Sequence, residues 1–357
     1  MRSGITRGGE VLRALFFVAG AIAAGLLILG AGLHAAGYDA AAALQALWRG
    51  AFGSWYAITS GTLVRAIPLI IIGSGIAIAF RGGALNIGAE GQFCAGAIAA
   101  TWVGLHVGGL PGWLAIGVVL LASTGAGALW IAVPVWLRLQ FGVLEVITTL
   151  LLNFVAEALV SLMVQGPLQE ARGFYPQSDP IAESARLPFL PGTRMHAGFL
   201  LAILLAASLA FLASRTLWGF KLRAAGANPR AALVSGRIQV PRMVATALMI
   251  SGMLGGLAGG VEISGVSLAL FQNLSPGYGF TAIAVALLAR LQPLAVIGTG
   301  ILFAALETGA GAMQRDAGIP SVTVYLVEAV IIIVVLLVDV FSRRHRNVMV
   351  PDSPAAG

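Results

Sequence analysis

No Asp, Glu, Lys or Arg occurs between Gly91 and Leu137. Soluble domains carry roughly 25% charged residues, so a charge-free stretch of this length belongs to a different solvent. A helix needs ~20 apolar residues to cross ~30 Å of hydrocarbon at ~1.5 Å per residue. The stretch accommodates two such helices, and Pro111-Gly112-Trp113 divides it with a helix breaker and an interfacial aromatic. The whole chain of 357 residues is 59% hydrophobic and 10% charged, with a mean hydropathy of +0.94. That excludes both an ordinary globular enzyme and a disordered chain. The 47 glycines follow no Gly-X-Y period, which excludes collagen. The single cysteine, Cys94, has no partner for an internal disulfide and reads as a small buried hydrophobe. The expected fold is an all-α, polytopic transmembrane helical bundle forming one domain over 1–357.

Further spans are expected near 12–35, 61–80, 143–165, 197–214, 243–264, 278–290, 293–312 and 320–341, about ten in all. The segment 278–290 is short for a full crossing, and 36–60 reads as interfacial. An N-terminal signal peptide is the competing reading of the first segment, but its length and the spans after it favour a retained helix. With the N-terminus inside, 15 of the 21 Lys and Arg residues fall on the inner side. Both termini are therefore expected in the cytoplasm, and the net charge of +7 needs no nucleic-acid partner. Two polar loops remain: an outer, Pro-rich one at 166–195 and an inner, basic one at 215–242.

Familiar catalytic chemistry finds no home here. A P-loop requires Gly-Lys-Ser/Thr, whereas the one lysine, Lys221, sits in Gly219-Phe220-Lys221-Leu222. His34, His106, His196 and His345 are scattered, which argues against a metal site.

Polar residues within spans are costly and mark functional candidates. Glu145, Thr149, Asn153 and Glu157 recur every four residues and share one helix face. They read equally as a lining of a translocation path or as hydrogen-bonding glue between helices. Arg81 to Gln92 packs glycines around Asn86, Glu90 and Gln92, a pattern suited to a broken helix beside a cavity rather than a continuous one. Ser275 to Thr281, containing Phe280, forms a second Gly/Pro-interrupted segment in the other half. Matching interruptions point to an internally repeated transporter. Gly252, Gly256 and Gly260 form a small-residue ridge that reads as helix packing. In the inner loop, Gly226, Asn228-Pro229 and Ala231-Ala232 suit a turn leading into a short helix, with Arg223 free to reach an acidic partner.

Leu85 to Gln92 resembles the "NIG-x-EGQ" signature of inner-membrane permease subunits of ABC importers for simple sugars and nucleosides, within the ribose and branched-chain amino-acid permease superfamily. Glu145 to Asn153, Arg223 to Ala232 and Gly277 to Leu288 resemble three further family stretches in the expected order. Ala289 and Leu291-Gln292 depart from the family pattern. The resemblance implies a non-enzymatic, multi-pass subunit of the bacterial cytoplasmic membrane that binds no cofactor itself. Its partners would be a second permease subunit, a cytoplasmic ATP-binding-cassette protein using ATP and Mg, and an extracytoplasmic solute-binding protein. The residues expected along the solute path are Asn86, Glu90, Gln92, Thr149, Asn153, Glu157 and Phe280. Arg223, Gly226, Asn228, Pro229, Ala231 and Ala232 would couple the chain to the ATPase. The alternative is a proton-coupled secondary transporter with Glu90, Glu145, Glu157, Glu262, Glu307 or Glu328 as relays.

Overall fold

The computed structural model describes residues 20, 23, 25–35, 37–320, 329 and 333. The described residues form helices and loops, with two isolated β-bridges and no longer strand. The helices are α1 (Gly25–Ala35), α2 (Ala40–Phe52), α3 (Leu63–Arg81), α4 (Ala89–His106), α5 (Gly112–Phe141) and α6 (Glu145–Val164). They continue with α7 (Gly198–Arg215), α8 (Leu217–Ala227), α9 (Pro229–Val234), α10 (Val240–Glu262), α11 (Tyr278–Leu288) and α12 (Pro293–Ala317). Among the described residues, 6 helices are long and apolar enough to cross a membrane, so the chain is a polytopic helical membrane protein. The expected span 320–341 lies almost wholly outside the described residues, as does the start of 12–35.

Local chemistry explains most boundaries. Asp39 caps α2 by accepting the Ala41 and Ala42 N–H groups at 3.0 Å each. Gly142, at φ +68°, ends α5 by donating its N–H to Arg138 O at 3.0 Å. In the inner loop the short helix expected after Asn228-Pro229 forms as α9, and a further helix, α8, precedes it. Thr216 caps α8 through the Gly219 N–H at 3.1 Å. Asn228 caps α9 through Ala231 N–H at 3.0 Å, with Pro229 in the first helical position. Gly226, expected in a turn, therefore lies in the last turn of α8.

The described residues form two compact units, 58–305 and a second made of those up to 57 with those from 306 onward. In the second unit, Leu29, Leu33, Ala43, Leu47, Leu306 and Met313 share one apolar cluster. The larger unit is organised around α10, which packs on α3, α4 and α5. The glycine ridge makes this possible. A Cβ at Gly256 would lie 2.7 Å from Gly127 Cα and closer still to Ser123 O. Similarly, a Cβ at Gly259 would lie 2.8 Å from Ala97 N. Backbones thus touch directly, gaining dispersion contacts that lipid cannot supply.

The outer loop docks onto the far end of α10. His196 is buried, its ring pressed against Gly265 and Gly198, and its Nδ1 accepts the Gly198 N–H at 3.2 Å. Burial pulls its pKa down to about 4, so the ring packs neutral.

Gly256→Ala is expected to lower the thermal midpoint of the detergent-purified protein sharply, since overpacking costs ~1–3 kcal/mol or more. Gly117→Ala, where a Cβ meets nothing within 4 Å, should leave it unchanged or raise it through better helix propensity. Equal midpoints for the two variants contradict the close-packing account.

Candidate functional site at the junction of two interrupted helices

Between α3 and α4 the chain leaves helical geometry. Gly83, at φ +76°, turns it, and Ala84 donates its N–H to Ala79 O at 3.0 Å. Residues 84–88 then run non-helical, largely buried, and need partners for their backbone groups. The polar stripe of α6 supplies them. Glu145 Oε1 accepts the Leu85 N–H at 3.1 Å, and Thr149 Oγ1 accepts the Ile87 N–H at 3.3 Å. Asn153 bridges both directions: its Oδ1 accepts the Gly91 N–H at 2.8 Å and its Nδ2 donates to Ile87 O at 3.0 Å. Glu145 also pairs with Arg138 across the turn from α5. A Cβ at Gly88 would lie 2.7 Å from Thr149 Cβ, so the stripe and the segment meet at van der Waals limit.

Asn86 is fully buried and fully satisfied. Its Nδ2 donates to Gln92 Oε1 and Ser251 Oγ, each at 2.9 Å, and its Oδ1 accepts from Gln92 Nε2 at 3.0 Å and Gly88 N–H at 2.9 Å. Ser251, on α10, was not singled out from the sequence. A lone hydroxyl in an apolar helix gives no signal until its partner is known.

The second interruption meets the first here. Gly277, at φ +98°, precedes α11, and Ser275 Oγ accepts the Gly277 and Tyr278 N–H groups at 3.1 and 3.0 Å. Glu90, in the first turn of α4, accepts the Gly279 N–H at 2.6 Å through Oε2. Its carboxylate thus sits at the positive ends of two helices at once. A Cβ on Gly279 would lie 2.7 Å from Glu90 Cα, so the two helix starts cross backbone to backbone.

The seven residues expected along a path separate into two groups. Asn86, Glu90, Gln92, Thr149 and Asn153 are buried and spend their hydrogen bonds on the scaffold. Glu157 and Phe280 are exposed, the latter by 44%.

The inner helices touch the same junction. A Cβ at Gly226 would lie 3.1 Å from Gly83 N and 2.9 Å from the Arg81 carbonyl carbon. Ala232 is buried in a cluster with Ala84, Ala225, Val135 and Leu248. Both small residues therefore serve contacts within the chain. Arg223 donates to the Ala213 carbonyl, closing off α7. Asn228, Pro229 and Ala231 are exposed, as are Leu233 and Val234 at 53% and 88%. The sequence places the last two in the short helix but gives no sign of their exposure, because apolar residues inside a membrane protein's loop carry no contrast.

Comparison with known proteins follows this architecture. Residues 58–337 match the family of branched-chain amino acid transport system permease components. The glucose ABC transporter permease protein TsgB13 of Haloferax volcanii is 34% identical, over 91% of this chain and 87% of its own. The guanosine ABC transporter permease protein NupP of Bacillus subtilis is 35% identical, over 93% of this chain and 94% of its own. NupQ of the same organism, also named a guanosine ABC transporter permease protein, is 30% identical over 69% of this chain and 79% of its own. The interrupted helices, the apolar spans and this similarity agree, and the chain belongs to the branched-chain amino acid transport system permease component family, as a multi-pass cytoplasmic-membrane subunit of an ABC transporter.

Proposed function

We propose that the chain forms half of the path by which an ABC importer carries a nucleoside or simple sugar into the cell. The observation that carries this reading is the Glu90–Gly279 bond, which ties the interrupted segments of the two halves into one junction. With it come about ten spans, two cytoplasmic termini and an internal repeat pairing α3–α4 with α10–α11. The other half is a second, different permease subunit; similarity to both NupP and NupQ of one organism supports a pair. A cytoplasmic cassette protein hydrolyses ATP with Mg, and an extracytoplasmic protein delivers the solute. This chain holds neither cofactor. Family membership favours this reading over a proton-coupled carrier.

Within the path, the exposed Glu157 and Phe280 meet the solute, while Asn86, Glu90, Gln92, Thr149 and Asn153 hold the wall in shape. Glu157 stands about 18 Å along α6 from Glu145 at ~1.5 Å per residue, well inside the hydrocarbon. A carboxylate exposed at that depth to lipid costs several kcal/mol, so this face belongs to water. On the cytoplasmic side, Leu233 and Val234 seat α9 against the ATPase, with Asn228, Pro229 and Ala231 shaping the helix start. Gly226 and Ala232 carry its displacement to the Arg81–Ala84 turn, and Arg223 ties α8 to the end of α7.

Cysteines placed by Glu157→Cys and Phe280→Cys are expected to react with a water-soluble thiol reagent in the assembled complex, more slowly when solute is present. Failure to react in resting, solute-bound and ATP-bound states excludes the path assignment. Asn153→Leu orphans the Gly91 N–H and Ile87 C=O at about 1–3 kcal/mol each, so it should cost folded yield before it changes solute preference. A second test addresses coupling. Leu233→Asp with Val234→Asp should reduce uptake at least tenfold while the permease still inserts normally, read in vesicles holding all subunits. Wild-type uptake by that variant removes α9 from the coupling surface.

A further inference from the structure

The outer loop contains a feature that neither the path nor the coupling surface uses. Residues 170–179 fold into a small, hydrogen-bonded knuckle. Glu170 N–H donates to Gln177 O at 2.8 Å, and Gly173, at φ +68°, returns its N–H to Glu170 O at 2.9 Å. The Glu170 carboxylate braces the turn from within, accepting the Tyr175 N–H at 3.1 Å and Gln177 Nε2 at 2.9 Å. Asp179 Oδ2 accepts the Ala171 N–H at 3.2 Å. Both acidic side chains are therefore spent on the frame. What the frame presents outward is Phe174, 81% exposed, Tyr175, 65% exposed, and the Arg172 side chain.

Two large rings held in water by a hydrogen-bonded turn lose little conformational entropy when they dock. Tyr and Arg are also the residue types that dominate protein interfaces when seated in a pocket. Aromatic residues that anchor a protein to the bilayer stand at the ends of spans. These rings instead stand ten residues beyond the end of α6, after a turn that contains Gln165, Gln169 and Glu170.

The knuckle is also clamped to the strand of chain that leads into α11. Ser178 N–H donates to Leu270 O at 2.7 Å, Leu270 N–H donates to Ser178 Oγ at 2.9 Å, and Ile181 N–H donates to Leu268 O at 2.8 Å. A bridge between Gln177 and Phe271 extends the clamp. From Phe271 the chain runs directly to Ser275, Gly277 and the helix start that Glu90 holds.

We propose that Arg172, Phe174 and Tyr175 form a docking surface for the extracytoplasmic solute-binding protein, and that the Ser178–Leu270 clamp relays its seating to the start of α11. The partner surface is an apolar depression edged by carboxylates that meet Arg172. This inference rests on the importer reading above and adds where on this chain the partner sits.

The test uses the complete complex in proteoliposomes, with uptake measured against binding-protein concentration. Phe174→Ala with Tyr175→Ala is expected to raise the half-saturating concentration at least tenfold, a larger change than any in maximal rate. An unchanged half-saturating concentration overturns the docking surface and leaves the importer reading standing. Wild-type uptake that needs no binding protein overturns the importer reading itself, and the docking surface with it. A second variant, Tyr175→Cys carrying an environment-sensitive fluorophore, keeps Phe174 in place. Its emission should shift to the blue when binding protein is added. A probe already blue-shifted and quenched by a lipid-borne quencher makes the knuckle a bilayer anchor and defeats the proposal.

Discussion

A peptide group that leaves helical geometry inside a membrane protein has no water to turn to, and residues 84–88 are largely buried. Each unmatched N–H or C=O there would cost several kcal/mol. The α6 side chains Glu145, Thr149 and Asn153 answer that demand one turn at a time, because residues four apart rise along one face at nearly the pace of the extended chain beside them. The rest of the larger unit follows from this match. Once the segment is held, α4 can begin at Ala89 with its positive end inside the protein, and Glu90 can receive the start of α11.

The match has a steric condition as well as an electrostatic one. Gly88, Gly91 and Gly255 lie against Thr149, Asn153 and Gln92, so a methyl group at any of them would separate donor from acceptor. The glycines of α10 extend the same condition upward, setting the distance between α10 and α5 by backbone contact rather than by side-chain filling. Polar satisfaction and close packing are therefore a single arrangement: loosening the second stretches the bonds of the first.

This explains what could be read from the chain alone. The spans were legible because burial in lipid imposes length and apolarity on contiguous residues, as in α5 and α6. The broken segment at 81–92 and the polar stripe of α6 were each legible too, through glycines and through four-residue spacing. Their mutual pairing was not, because Leu85 and Glu145 are 60 residues apart and spacing within one helix says nothing about its neighbour. The stripe's last member illustrates the limit. Glu157 continues the period of Asn153, yet Asn153 is buried against α4 and Glu157 is exposed. Helix α8 was missed for a different reason: its lysine, arginine and glycines look like loop composition, and the Thr216 cap that starts it is a single hydroxyl.

The same geometry defines a mechanical route. Gly226 presses on the Arg81–Gly83 turn, and Ala232 shares a cluster with Ala84, so α8 and α9 are in contact with the first residues of the non-helical segment. From Ala84 onward that segment is gripped by α6, and through Glu90 it reaches the start of α11. The contacts along this route are a backbone approach at Gly226, an alanine cluster at Ala84 and Ala232, and side-chain hydrogen bonds to backbone from Glu145 and Glu90. Packed interfaces of this kind shift between discrete arrangements rather than deforming gradually. In the proposed coupling, a push on α9 would reach the turn at Gly83 through these contacts. That push would then be met by the α6 side chains that hold residues 85–87 and by the Glu90–Gly279 bond that ties the starts of α4 and α11.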